Sequence, residues 1–190
     1  MLLKTKFVQQ YLSTVFNNLI NSIIVRDTLL FINVQKKYFL TLISILKNHT
    51  FLNFDMLMDI WAIDFPKKRN RFSLNYLLVS TLWLISVIVR ISVSNLESQK
   101  SVTKLYHSAG WLEREIWDMF GIFFEGNVDL RRILTDYGFE GFPLRKDFPL
   151  SGFYEIRYDY EQKRLTFDSI ELTQEFRFFY FQKSWNTKNN

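Results

Sequence analysis

Glu113, Glu115 and Asp118 stand within six residues of one another, the densest set of acids in this 190-residue sequence. Paired carboxylates can act as general acid and base, and a cluster of them can hold a divalent cation. The spacing argues against both. On a helix, positions 113 and 115 point about 200° apart, so their carboxyls cannot converge on one reacting atom. Glu115 and Asp118 share a side, but no His or third acid joins them at ligand spacing. The two histidines, His49 and His107, are remote from each other and read as surface or capping residues. No Gly-x-Gly-x-x-Gly, Walker or Gly-x-Ser-x-Gly motif occurs. With no Cys there is no disulfide, thiolate zinc site or cysteine-held iron–sulfur cluster. The acids therefore read as pairing partners for Arg, and no residue is assigned a catalytic, cofactor-binding or metal role.

The acids lie in residues 108–152, a stretch that the rest of the chain is built to position. Its first part reads as a short helix, with Ser108 at the N-cap and Gly121 at a left-handed C-cap. Leu112, Ile116, Met119 and Phe120 make its apolar stripe, and Arg114 and Asp118, four apart, can pair on its surface. Turn signals follow at Gly126, Gly138, Gly141, Pro143, Pro149 and Gly152. Charges are set between them at Asp129, Arg131, Arg132, Asp136, Arg145, Lys146 and Asp147, with Tyr137 and Phe148 among many aromatics. A loop this long is functional or disordered, and this one is too apolar for a solvated tail. It reads as an ordered extended arm whose aromatics insert into a surface, its own domain's or a partner's. The Arg131-Arg132 and Arg145-Lys146 doublets, each near an Asp, favour bidentate pairing at a protein interface. The expected interface residues are Glu113, Arg114, Glu115, Asp118, Asp129, Arg131, Arg132, Asp136, Tyr137, Arg145, Lys146, Asp147 and Phe148.

The same run carries a family resemblance. Glu113-Arg114-Glu115, then Asp118-Met119-Phe120-Gly121, the thirteen residues from Asp129 to Gly141, and the eight from Pro143 to Leu150 resemble the signature of the 30-kDa subunit family of respiratory complex I, NADH:ubiquinone oxidoreductase, whose mitochondrially encoded members are called subunit 9. Asn127 and Phe142 stand where the family usually has His. The resemblance implies a non-catalytic core subunit of the peripheral arm that scaffolds the quinone-reducing module. It implies other complex I subunits as partners, chiefly the large subunit of the quinone site. NADH, FMN, iron–sulfur clusters and ubiquinone would then sit on those other chains. It also implies a peripheral place on the matrix side of the mitochondrial inner membrane, where a mitochondrially encoded chain needs no import signal.

Composition agrees in outline. A net charge of +5 and a pI near 9.3 suit acidic surfaces without indicating nucleic acid. A basic RNA-binding or ribosomal protein of an organelle is the alternative, since Arg and aromatics interleave, but no RNA-binding signature occurs. The basic cluster Lys67, Lys68, Arg69 and Arg71 could contact phosphates or lipid headgroups but reads as a solvated loop.

Around the arm the fold is predicted as α+β: a small mixed sheet with two helices, then the arm, then a C-terminal hairpin. A helix near 2–18 precedes strands at 22–26 and 29–34 joined by a turn at Asp27-Thr28. A helix at 37–47 and a strand at 58–65 follow. Residues 77–89 carry no charge and look membranous, but the run is shorter than the ~20 residues of a span. It is rich in Val, Ile and Ser, and reads as two buried strands turning near 81–83. Residues 98–104 read as a connector, 154–160 and 164–167 as a hairpin, and 171–177 as an extended closing segment. The expected divisions are 1–107, 108–152 and 153–190.

Overall fold

The structure is a computed structural model that describes residues 2–26, 29–174 and 177. The chain divides into two compact units, Met1–Phe148 and Pro149–Asn190. In the first, α1 (Leu2–Val15) leads into the hairpin of β1 (Ile20–Arg26) and β2 (Leu29–Val34), followed by α2 (Lys36–Asn48). Next come β3 (Met56–Asp64), β4 (Phe72–Ser80), β5 (Ile85–Val93) and a two-residue β6 (Gln99–Lys100). The arm supplies α3 (Ala109–Phe120) and β7 (Phe124–Glu125). The α+β assignment holds, with a mixed five-stranded sheet in the order β1-β2-β5-β4-β3, in which only β2 and β5 run parallel.

The uncharged run at 77–89 is the centre of this sheet. It supplies the end of β4 and most of β5, and the two strands pair antiparallel from Phe72↔Val93 to Ser80↔Ile85. The turn between them is held from outside: Asp55 accepts from the Thr81 backbone N–H at 3.0 Å and from its hydroxyl at 2.7 Å. No helix among the described residues is long and apolar enough to cross a membrane. Arg90 does not end the strand. Its Nε donates to the Asn75 side chain at 2.8 Å and its guanidinium lies over Phe31, so the charge is satisfied in mid-sheet.

The core is formed where Phe39, Leu42, Ile43 and Leu46 of α2, Val8 and Leu12 of α1, and Ala109, Ile116 and Phe120 of α3 meet the buried strand positions. The Phe39 and Tyr76 rings lie 4.6 Å apart at its centre. Burying one such Leu or Phe side chain contributes about 2 kcal/mol, which is why a helix as short as α3 is held by packing rather than by its own propensity.

Several boundaries differ from the sequence reading. The first helix stops at Val15, because Leu19 N–H turns back to the Phe16 carbonyl and redirects the chain into β1. The connector at 98–104 contains β6, which pairs in parallel with β7; a two-residue ladder is too short to leave a periodicity. The turn expected at Asp27-Thr28 lies outside the described residues, as does part of the closing segment at 171–177.

The second unit carries the expected hairpin, β8 (Tyr154–Asp159) with β9 (Arg164–Ser169). Asp159 accepts the backbone N–H of Glu161 and Gln162 in its turn. Cross-strand pairs place Ile156 against Phe167 and Tyr158 against Leu165 on one face, all exposed, while Glu155 faces Asp168 and Asp159 faces Arg164 on the other.

Candidate interaction site

The arm is built outward from α3. Its C-terminus is set as expected: Gly121 has φ 71° and donates its N–H to the Trp117 carbonyl at 2.9 Å. Only glycine fits here, since a Cβ would lie 2.5 Å from the Phe142 ring in addition to the backbone strain. The N-terminus is different. Ser108 is itself helical and makes no side-chain cap; its hydroxyl donates to the Leu57 carbonyl at 3.3 Å, tying the helix to β3 instead.

The three acids of α3 go to three environments. Glu115 is exposed. Glu113 is fully buried and finds no Arg, contrary to the expected pairing. Its carboxylate accepts from the Ser101 hydroxyl at 2.7 Å, the Val102 N–H at 2.8 Å and the Asn127 side-chain amide at 2.8 Å. Asp118, equally buried, does not pair with Arg114. Its Oδ2 accepts three consecutive backbone N–H groups, of Ile133, Leu134 and Thr135, at 3.1, 2.7 and 2.9 Å, and its Oδ1 accepts the Thr135 hydroxyl at 2.6 Å. Arg132 stands 3.7 Å away. The helix is thus gripped on two sides, by the 101–103 loop with Asn127, and by residues 133–135.

The two buried acids titrate in opposite directions. Burial raises both, but at Asp118 the four donors reverse it and the carboxyl is held below the usual range. At Glu113 burial outweighs the three donors and the pKa is raised. A carboxyl that holds its proton more tightly folded than unfolded contributes stability that is fully present below the ordinary Glu value of about 4.5 and is lost as pH rises through the folded value. Glu113→Gln does not titrate. Urea unfolding of the full chain across a pH series should therefore show wild type losing ground to this variant as pH rises above about 4.5; a pH-independent difference would contradict the assignment.

The basic doublets are mostly turned inward. Arg132 donates to the Phe139 and Gly141 carbonyls at 3.0 and 2.9 Å and lies over the Phe142 ring. Arg145 donates to the Phe120 carbonyl and sits over Phe142 and Phe72. The Phe142 ring is therefore contacted by two guanidiniums and meets Trp117 in an edge-to-face arrangement. Arg131 remains exposed and, among the described residues, pairs only with its near neighbour Asp129 through Nε and Nη2. Arg114 donates to the Arg131 carbonyl and stacks on Trp111. Asp136 accepts the Tyr137 N–H, a local turn contact. Phe148 packs against Phe139.

One group escaped the sequence reading. Arg71 is not part of a solvated loop: it takes Asp64 in a bidentate pair at 2.7 and 2.8 Å and Asp147 in another at 2.8 and 3.1 Å. Asp64 also accepts the Lys146 N–H at 2.9 Å. This clasp fixes the arm to the β3–β4 end of the sheet. Hydrogen bonding to Asp64 and then Asp147 raises the Arg71 pKa, and both acids are held below the usual range. The only hint of it in the sequence was an acid, Asp64, closing an apolar strand.

Large apolar side chains fill the outward side of the arm. Trp111, Leu134 and Leu144 are more than half exposed, Tyr137 is 97% exposed and Val128 98%.

Residues 32–154 match the family described as "Respiratory-chain NADH dehydrogenase, 30 Kd subunit". The chain is 51% identical over 154 residues to NADH-ubiquinone oxidoreductase subunit 9 of Reclinomonas americana, covering 81% of this chain and 76% of the relative. It is 48% identical over 153 residues to NADH dehydrogenase [ubiquinone] iron-sulfur protein 3 of Arabidopsis thaliana, with 80% of each chain covered. Among solved structures it resembles a chain of the membrane-bound sulfane sulfur reductase, an archaeal respiratory membrane complex, with a TM-score of 0.64 and 26% identity over 76% of this chain and 85% of that one.

Proposed function

Because the chain belongs to the respiratory-chain NADH dehydrogenase 30 Kd subunit family, we propose that it is a non-catalytic core subunit of the peripheral arm of NADH:ubiquinone oxidoreductase. It holds the quinone-reducing module in register for electron transfer from NADH to ubiquinone. One observation carries the scaffold reading: within the arm Asp118, Arg132, Arg145 and Asp147 are engaged by this chain's own atoms, while Trp111, Val128, Leu134 and Tyr137 face outward. Exposed aromatics and aliphatics on a rigid frame are what a docking surface offers, and Trp and Tyr dominate such interfaces energetically. The exposed apolar face of the β8–β9 hairpin supports the same reading, because a two-stranded hairpin is marginal alone in water and gains most by being covered.

The large subunit of the quinone site is the chief partner in this reading, and the chain sits peripherally on the matrix side of the inner membrane. It contributes to NADH:ubiquinone reduction and proton translocation only through the assembled enzyme. NADH, FMN, iron–sulfur clusters and ubiquinone belong to other subunits; the absence of Cys from these 190 residues leaves no thiolate to hold a cluster. The family match sets aside the RNA-binding alternative.

Tyr137→Ala and Arg131→Glu test this, because both side chains are exposed and neither should move the stability of the full chain by more than about 0.5 kcal/mol. In mitochondria carrying these variants, the amount of the assembled NADH-oxidising complex on native gels should fall. Normal complex abundance with slowed turnover would instead indicate a direct chemical role.

A further inference from the structure

The positive charge of this chain is concentrated in one place. Of its formal net charge of +5, segments 64–71 and 145–147 carry +4, with six Lys or Arg against Asp64 and Asp147. Folding brings the two segments together, since Asp64 accepts the Lys146 N–H and Arg71 takes both carboxylates. Both acids are thereby used on Arg71. Lys67, Lys68 and Arg69 on the β3–β4 loop and Lys146 beside it stay exposed, and among the described residues none of the four joins an ion pair. The loop is held in shape: Phe65 N–H donates to the Arg71 carbonyl at 2.8 Å, Lys68 N–H to the Phe65 carbonyl at 3.0 Å, and the Lys68 ammonium lies 4.2 Å over the Phe65 ring.

We propose that this tip is an electrostatic docking surface for an acidic protein surface on a neighbouring subunit, an inference that rests on the subunit reading above. Four cations held together without counter-charges repel one another, and a complementary acidic surface both relieves that repulsion and steers the approach of its bearer. The loop favours protein over lipid or nucleic acid. Lys67, Lys68, Arg69 and Asn70 are polar and leave only the small ring of Pro66 to meet acyl chains, and Phe65 is covered by Lys68 rather than presented as a stacking platform.

The test uses the assembled complex and the free full-length chain. Amine acetylation followed by mass spectrometry should modify Lys67, Lys68 and Lys146 about tenfold less in the complex than in the free chain. Zero-length carbodiimide coupling should join these lysines to Asp or Glu of another subunit. Assembly of the variant Lys67→Glu/Lys68→Glu/Arg69→Glu should be slower and lose its salt dependence. Equal acetylation in the two states would overturn the proposal. So would protection without cross-links that disappears on delipidation, or tip-dependent binding of the free chain to vesicles of anionic phospholipid, since either assigns the tip to lipid. If the chain is absent from the complex altogether, the subunit reading fails, not this one alone.

Discussion

Replacing Arg71 by Ala should cost the full chain about 3–5 kcal/mol, the largest loss expected of any single change in the clasp. Asp64 is the reason. Its side chain is 1% exposed and Arg71 is 14% exposed, so the variant leaves a buried carboxylate whose remaining hydrogen-bond donor among the described residues is the Lys146 N–H. Asp147, at 62% exposure, is solvated without its partner and contributes little. Urea unfolding should show a lower midpoint, and limited proteolysis should cut the arm near residues 142–148 once it is no longer tied to β3 and β4. The double variant Arg71→Met/Asp64→Asn should recover part of the loss, because removing both charges is cheaper than removing one. A loss below about 1 kcal/mol for Arg71→Ala would mean that the arm is held by its aromatics alone.

Asp118→Ala should be nearly as damaging, at about 3 kcal/mol, by a different route. No ion pair of good geometry is broken, since Arg132 is 3.7 Å away. What is lost is the acceptor for three successive backbone N–H groups and one hydroxyl, which nothing else replaces. Hydrogen exchange at the amides of Ile133, Leu134 and Thr135 should accelerate well beyond the change at β4. Asp118→Asn keeps a carbonyl acceptor and should fall between the two. Because the folded pKa of Asp118 is lowered, its contribution is present above the ordinary Asp value of about 3.8 and is lost as pH falls through the folded value. Uniform exchange across the fold in Asp118→Ala would point to global destabilisation with no special role for this loop.

Both predictions concern residues whose importance the sequence conveys unequally. Asp118 stood out as one of three close acids, but its expected partner, Arg114, was wrong. Surface pairing at four-residue spacing is worth a few tenths of a kcal/mol, whereas a nest of three N–H groups offers an acid far more, and that nest exists only after residues 133–135 have folded back on the helix. Arg71 was grouped with Lys67, Lys68 and Arg69 because in sequence they are one basic run. Strand geometry separates them: Arg71 immediately precedes Phe72, the first residue of β4, opposite Asp64 on β3, while the other three sit in the loop. Ser108 looked like a cap by type and place, yet its backbone is itself helical, with φ −58° and ψ −27°, where a cap needs an extended residue, and its hydroxyl donates to the Leu57 carbonyl.

The sequence by itself determined the class of fold, the signature by which the family is recognised, the placing of both strands in the uncharged 77–89 run, and the left-handed end of α3 at Gly121. These follow from periodicity, from the shortness of the uncharged run and from the unique backbone freedom of glycine, all of which act within a few residues. The tertiary structure alone decided which charges face inward. Glu113 lies against Ser101 and Asn127, and Asp64 against Arg71 and the backbone of Lys146, the last across 82 residues of chain. Whether a carboxylate is paired, nested or left in solvent depends on which donors the packed chain brings within about 3 Å, and no local pattern in the sequence encodes that distance.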